Sequence, residues 1–161
     1  MNRAENISLQ LQRVVANPVW RFAIGLRIRF NHPTLLYQTY PQDWVAAYAA
    51  EGLLLVDPAV RWGMTHLGLC NWADLAAEDE AGLFARAADH GLRHGIAVSV
   101  GDEGSRSIGF FARPDRAPDA AERALACDVM ARLHDLTPDV ATLPEADRIA
   151  LQRMDEGLVP R

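Results

Sequence analysis

The chain has 161 residues, 50% of them hydrophobic and 23% charged, which is typical of one soluble globular domain with a sizeable buried core. Its net charge of −5 argues against autonomous binding to nucleic acid, because phosphate-binding domains are normally basic. No apolar run approaches the ~20 residues of a membrane span, and Cys70 and Cys127 form no CxxC motif, so a reducing, cytoplasmic location is expected.

The predicted elements start with a short helix and a hairpin. Apolar residues at positions 11, 14 and 15 recur at helical spacing after residues 6–8 and predict a helix that Pro18 ends. Residues 22–30 alternate in hydrophobicity and predict a strand with one polar face. A turn at residues 31–33 and an extended run at residues 34–39 complete the hairpin.

Helices and a second hairpin are predicted in the middle of the chain. Pro41 stands at a position favoured in the first turn of a helix, and Gly52 is expected to end that helix. Residues 57–71 follow no clear period and are expected to be irregular. A helix is predicted over residues 73–90, and two short apolar runs around a glycine-rich turn predict a hairpin over residues 96–112.

A long helix is predicted over residues 120–136. Two hairpins flanked by separated helices indicate an α+β domain, with helices packed on an antiparallel sheet. This domain is expected to span residues 1–138. The tail, residues 139–161, has the residue types of a capping box at Thr142 and an apolar pattern too short to bury its own face.

A set of aromatic residues and one acid indicates a binding pocket. Tyr40, Trp44 and Tyr48 are spaced at helical intervals, Asp57 follows nine residues later, and Trp72 fifteen residues after that. A small-molecule pocket combines apolar walls with a few polar groups that orient the ligand. Taken singly, the aromatics are better interpreted as core residues and Asp57, which precedes a proline, as a turn residue. The joint spacing favours a pocket.

These residues resemble the autoinducer-binding domain of LuxR-type quorum-sensing regulators. The resemblance covers about residues 14–136 and includes the Tyr-Pro-x-x-Trp-x-x-x-Tyr segment, the Asp-Pro pair, the later tryptophan and a Gly-Leu-x-x-Gly segment that ends at Gly95. It implies an α/β/α sandwich with a central antiparallel sheet of about five strands and helices on both faces. It also implies that an N-acyl homoserine lactone lies between the sheet and the helices of one face.

The resemblance implies a role for each residue of this set. Trp44 would donate its indole N–H to the lactone carbonyl, Asp57 would accept from the ligand amide N–H, and Tyr40 would donate to the amide carbonyl. Tyr48 and Trp72 would form walls around the acyl chain and the lactone. No cofactor is implied besides the lactone as ligand.

The predicted pocket departs from the family pattern on two strands. Ile108, Phe110 and Ala112 are expected to share the pocket face, with Ala112 where many members carry a serine or threonine and Phe110 where a small residue is common. On the preceding strand, Ala97 and Ser99 replace the more usual threonine and proline. A shorter, unsubstituted or non-standard ligand is therefore expected.

The tail resembles the first helix of the family's helix-turn-helix, and nothing after it could form a recognition helix. The chain is therefore either a piece of a longer regulator or a solo receptor, and no DNA binding or membrane binding of its own is expected. The expected function is a quorum-sensing signal receptor that forms a homodimer, or a heterodimer with a full-length regulator. The alternative is an orphan domain that binds another apolar ligand or only dimerises as an inhibitory partner.

Catalytic and metal sites are not expected. His90 and His94 stand four residues apart, but no carboxylate or cysteine completes a metal-binding set, and helix-end packing is the better interpretation. Asp102 and Glu103 lie in a glycine-rich turn and are interpreted as solvated charges. Since the sequence has no nucleophile–base set, phosphate loop or dinucleotide motif, we do not expect an enzyme.

Overall fold

A computed structural model describes residues 1–159 of the protein, with helices on both faces of an antiparallel sheet. The strands are β1 (Arg21–Arg29), β2 (His32–Gln38), β3 (Gly68–Asn71), β4 (His94–Val100) and β5 (Arg106–Arg113). The α-helices are α1 (Arg3–Val15), α2 (Gln42–Ala50), α3 (Pro58–Thr65), α4 (Leu83–Asp89), α5 (Ala120–Asp135) and α6 (Glu145–Arg153). Short 3₁₀ helices at Leu53–Val56 and Trp72–Glu78 connect the elements near the cavity described below. The strand order is β2-β1-β5-β4-β3, and every adjacent pair is antiparallel.

The sheet separates two apolar clusters. On one face, α1 and α5 pack together and against the strands through buried residues such as Leu11, Val129 and Phe111. On the other face, α2, α4 and the Trp72–Glu78 helix bury Trp44 and Leu83 in a second cluster. Because successive side chains of a strand point to opposite faces, each central strand contributes to both clusters. The predicted α/β/α sandwich is confirmed.

Strand β1 differs from its prediction, because neither of its faces is polar along most of its length. Ile24 belongs to the cluster under α1 and α5, and Gly25 faces the opposite side of the sheet. The pairing with β5 shifts between Gly25 and Ile28, and Arg27 there has a positive φ of 54°. This bulge adds one residue to the alternation, so Ile28 faces the same side as Gly25.

Two predictions for the middle of the chain were wrong. Residues 57–71 are not irregular but contain α3 and β3, and the Asp57 side chain caps α3 by accepting hydrogen bonds from the N–H groups of Ala59 and Val60. The helix predicted over residues 73–90 is two helices. Gly82 separates them with a φ of 67°, and Asp79 accepts hydrogen bonds from the first N–H groups of α4.

The tail packs against the domain through the outer edge of β2. The Gln152 side chain accepts from the Leu36 N–H at 2.8 Å and donates to the Leu36 carbonyl at 2.6 Å, and Asp155 accepts from the Gln38 N–H at 2.7 Å. The Tyr37 hydroxyl donates to the Leu151 carbonyl at 2.7 Å. Side chains of the tail thus satisfy outward-facing backbone groups of Leu36 and Gln38, which an edge strand would leave unpaired.

Two apolar residues of the tail, one of them on α6, are buried on this surface. Leu151 and Leu158 belong to the cluster under α1 and α5, although the sequence pattern alone gave α6 no partner. The capping box expected at Thr142 is absent, since its hydroxyl donates to the Asp139 carbonyl and Pro144 precedes α6. Across residues 1–159, no helix is both long and apolar enough to cross a membrane.

Candidate functional site

A cavity of about 450 Å³ lies between the sheet and the helices of the second cluster. Its floor is β1, where the small residues Ala23 and Gly25 leave room above the sheet. Two rows of paired residues cross this floor, each with one residue from β2, β1 and β5. They are Gln38–Ala23–Phe110 and Leu36–Gly25–Ile108. Neighbouring strands are about 4.8 Å apart, so the larger side chains of β2 and β5 form the walls of a trough that follows β1.

Asp57 places a carboxylate in the wall of this largely apolar cavity. It is 9% exposed, and its Oδ2 accepts from the Tyr48 hydroxyl at 2.8 Å, while its Oδ1 accepts from the Ala59 N–H at 2.9 Å. Burial raises the pKa of Asp57 above its ordinary value, although the hydrogen bonds from Tyr48 and the α3 backbone act in the opposite direction. Keeping Asp57 ionised at this buried position therefore costs free energy.

Two tyrosines stand beside this carboxylate. Burial, and then the negative charge of Asp57, raise the pKa values of Tyr40 and Tyr48, so both phenols stay protonated and can donate. The Tyr48 hydroxyl is used by Asp57. The Tyr40 hydroxyl has no hydrogen-bond partner within residues 1–159, although Tyr40 lines the cavity. One free phenolic donor therefore accompanies the carboxylate.

Trp44 is 2% exposed and is held in place by aromatic and charged neighbours. Its ring lies edge-on to Tyr48 at 5.9 Å and 5.2 Å from the ring of His90. The Arg86 guanidinium lies 5.9 Å from the Trp44 ring centroid and pairs with Glu51. His90 thus packs at the end of α4, and in the described chain no group of histidine, cysteine and acidic residues could hold a metal ion.

Trp72 closes the cavity on the side of β4. Its ring stacks on Phe84 with centroids 5.4 Å apart and rests against the backbone at Gly95. Its indole N–H is buried and has no hydrogen-bond partner among residues 1–159. Buried donors are normally paired, so an unpaired indole N–H in the cavity wall is unusual.

Gly95→Ala is expected to displace Trp72 and destabilise the protein. A Cβ at position 95 would overlap the Trp72 ring, and overpacking of this kind costs about 1–3 kcal/mol. Thermal unfolding and tryptophan emission should both shift. Gly104→Ala is the control, because among the described residues nothing lies within 4 Å of its added Cβ. Unchanged unfolding and emission in Gly95→Ala would show that the Trp72 ring is not fixed by this contact.

The five residues that the aromatic and acidic motif predicted for the site line one cavity, together with two of the three expected on β5. They are Tyr40, Trp44, Tyr48, Asp57, Trp72, Ile108 and Phe110. Ala112 does not line the cavity and is packed inside the second apolar cluster. Sequence reasoning missed Ala23, Gly25 and Gln38. The small residues at alternate positions of β1 were a signal for a floor, but only strand pairing relates them to Gln38 and Phe110.

A serine–histidine pair lies on the opposite face of the sheet and was not predicted. The Ser107 Oγ is 2.7 Å from the His134 Nδ1, which is a distance found in nucleophile–base pairs. Ser107 is fully buried, and its Oγ also accepts from the Arg27 N–H at 3.0 Å. Since no substrate can reach this hydroxyl, the pair joins α5 to β5 and the bulge of β1.

Comparison with known proteins identifies similar chains. The family model described as autoinducer binding domain matches residues 21–140. The transcriptional activator protein SolR of Ralstonia solanacearum is 30% identical over 131 residues, which cover 76% of this chain and 56% of SolR. The chain therefore spans little more than half the length of this relative.

Solved structures share the fold at low sequence identity. The crystal structure of Escherichia coli SdiA aligns with a TM-score of 0.63 at 22% identity, and the alignment covers 100% of this chain and 66% of the SdiA chain. SdiA has also been solved in complex with octanoyl-rac-glycerol. CepR2 of Burkholderia cenocepacia is an N-acylhomoserine lactone dependent LuxR family transcription factor. Its structure aligns with a TM-score of 0.59 at 18% identity, and the alignment covers 92% of this chain and 96% of the CepR2 chain. These likenesses confirm the sandwich of sheet and helices.

Proposed function

The chain belongs to the autoinducer-binding domain family of LuxR-type regulators, and we propose that it is a signal receptor that binds an N-acyl homoserine lactone in this cavity. The observation that carries the proposal is the buried Asp57 carboxylate in an apolar cavity beside the unpaired hydroxyl of Tyr40. A carboxylate has about four acceptor positions, and the Asp57 side chain uses three of them within the protein. It retains capacity for one more donor.

An acyl homoserine lactone offers groups that match this set. Its amide N–H would donate to Asp57, and its amide carbonyl would accept from Tyr40. Both polar groups of the amide would then be hydrogen-bonded. A hydrogen bond to a charged acceptor is stronger than one between neutral groups. The Trp44 indole N–H would donate to the lactone carbonyl, and Tyr48, already fixed by Asp57, would form a wall.

The acyl chain would lie in the trough above β1. Each CH₂ group that leaves water there contributes about 0.8 kcal/mol. Binding would also add a fourth hydrogen bond to the buried Asp57 carboxylate. A ligand that binds only the folded state raises stability by about 2.7 kcal/mol at 100 times its Kd, so the melting temperature should rise with lactone concentration.

Ligand affinity is expected to rise with pH as Asp57 loses its proton. Burial raises the pKa of Asp57, whereas an amide N–H binds the charged carboxylate more strongly than the neutral acid. The ligand is therefore bound preferentially by the deprotonated protein. Fluorescence titrations, kept below the pH at which the lactone ring opens, should give a Kd that falls through the raised pKa and then levels off. A Kd that does not change with pH would contradict this role for Asp57.

The direct test is to express the full chain with a panel of acyl homoserine lactones and octanoyl glycerol, and to analyse extracts of the purified protein by mass spectrometry. Stoichiometric retention of a lactone and a melting temperature raised by it are the expected results. Soluble, empty protein that no member of the panel stabilises would overturn the proposal. Retention of octanoyl glycerol alone would mean that the ligand is an acyl compound other than a lactone.

As a regulatory module, the receptor would act with a DNA-binding domain. We propose that it forms a homodimer, or a heterodimer with a full-length LuxR-type regulator. Light scattering of the ligand-bound protein, alone and mixed with such a regulator, tests both forms. A monomer under both conditions would overturn this part of the proposal.

A further inference from the structure

Gln38 contributes a polar side chain to the cavity that the aromatic and acidic motif does not include. It is the last residue of β2, it is half-buried, and it lines the cavity. Its side-chain amide makes no hydrogen bond with any group of residues 1–159, although its backbone N–H is paired with Asp155. An amide group can donate two hydrogen bonds and accept two. This capacity is open to a bound molecule.

The backbone that carries this side chain is fixed from both sides. On the inner side Gln38 pairs with Ala23 of β1, and the next N–H, that of Thr39, donates to the Phe22 carbonyl at 2.8 Å. On the outer side the Gln38 N–H donates to Asp155 at 2.7 Å. A side chain that projects from a clamped strand is presented to a ligand at a defined place, with little backbone entropy left to lose.

Strand pairing places Gln38 opposite Phe110 across the floor. Both pair with Ala23, so their Cα atoms are separated by two strand spacings, about 10 Å. Ala23 is small, and a ligand chain above it has the Gln38 amide on one flank and the Phe110 ring on the other. Gln38 also lies two residues before Tyr40, the group proposed to hold the amide carbonyl of the ligand. The part of the acyl chain beside Gln38 would therefore be the part close to the ligand amide.

The chemistry of the Gln38 side chain favours an oxygen atom on the acyl chain of the ligand. Against plain hydrocarbon, the Gln38 amide would lose contact with water and gain no partner, which is unfavourable. A keto or hydroxyl oxygen above Ala23 would accept a hydrogen bond from its NH₂ group. We propose that Gln38 is a specificity-determining residue that selects acyl amides with a hydrogen-bonding oxygen on the chain near the amide.

This inference rests on the proposed function and reverses one expectation from the sequence. The absence of a hydroxyl at position 112 suggested an unsubstituted ligand, but Ala112 does not line the cavity. Gln38 supplies a donor from β2 instead, on the far side of the floor from β5.

The test compares three ligands of one chain length, the octanoyl, 3-oxo-octanoyl and 3-hydroxy-octanoyl homoserine lactones, by calorimetric titration. Wild-type protein is expected to bind an oxygenated ligand about tenfold more tightly than the plain one, the size of effect that one good hydrogen bond gives. Gln38→Leu should remove this preference. Gln38→Met, which keeps an unbranched chain, should do the same if Gln38→Leu folds poorly.

Gln42→Leu serves as the matched control, because Gln42 is exposed on α2 and does not line the cavity. It should keep the wild-type preference. If wild type binds all three ligands without preference, or if the Gln38 variants keep the wild-type preference, the inference is overturned while the proposed function stands. If wild type binds none of the lactones, both are overturned.

Discussion

Asp57→Asn is expected to weaken binding of an acyl homoserine lactone by about five- to 150-fold, which corresponds to a loss of 1–3 kcal/mol. The reason is that the buried carboxylate is the proposed acceptor for the ligand amide, and asparagine replaces a charged acceptor by a neutral one. The domain should stay folded, because asparagine is also a good N-cap and its oxygen can still accept from the Ala59 N–H at the start of α3.

The binding constants of wild type and variant can be measured by calorimetry or by tryptophan fluorescence. Asp89→Asn is the matched control, since Asp89 is exposed on α4 and makes no hydrogen bond or ion pair within the described chain. It should bind as wild type does. Equal affinity for wild type and Asp57→Asn, with both proteins folded, would place the ligand away from Asp57.

Glu122→Gln is expected to cause a large loss of stability for a conservative change. Glu122 is 8% exposed and accepts from Arg113 at 2.7 Å, Arg116 at 2.8 Å and the Asn17 side chain at 2.6 Å. Removing its charge leaves the buried Arg113 with Asp115 as its remaining acidic partner. Breaking a buried pair costs 3–5 kcal/mol, and we expect about 3 kcal/mol because Asp115 remains.

The melting temperature should then fall by about 6–12 °C for a chain of this size. Glu51→Gln is the control: Glu51 pairs with Arg86 on the surface, where ion pairs contribute little, and the melting temperature should hardly change. A melting temperature of Glu122→Gln within error of wild type would mean that the network around Arg113 does not stabilise the fold.

The effect of Glu122 should depend on pH in a definite direction. Burial acts to raise its pKa, but hydrogen bonds from the Asp119 backbone, Arg116, Arg113 and Asn17 outweigh it and lower the pKa from 4.5 to about 2. A lowered pKa in the folded state contributes stability above the unfolded value, and that contribution is lost as the pH falls from 4.5 towards 2. The difference between wild type and Glu122→Gln should therefore shrink over this range in chemical unfolding experiments.

The sequence predicted the architecture and the group of aromatic residues around Asp57 in the cavity, because both depend on signals that are local or rare. Alternating and helical periods indicated most of the strands and helices. The combination of Tyr40, Trp44, Asp57 and Trp72 at fixed spacing is improbable by chance, so it led both to the family and to the cavity.

The remaining features depend on contacts between distant parts of the chain. β3 has four residues and is a strand because it pairs with β4, which no pattern within residues 57–71 could indicate. The bulge at Arg27 moves Ile28 to the cavity side, and a strict period of two predicts the opposite. Gln38 gains its place from its pairing with Ala23 and from Asp155, which is 117 residues away.

The hydrogen bonds between the tail and β2 have a consequence for association between molecules. While the tail is in place, the Gln152 and Asp155 side chains bond the backbone groups of Leu36 and Gln38 from outside. If the tail detaches, the same groups become a template on which a strand of another molecule can add, as happens in domain swapping and aggregation. The tail therefore covers the edge of the sheet and blocks strand addition there. Mutations that weaken the contacts between the tail and β2 would reduce the yield of soluble protein even with the cavity intact.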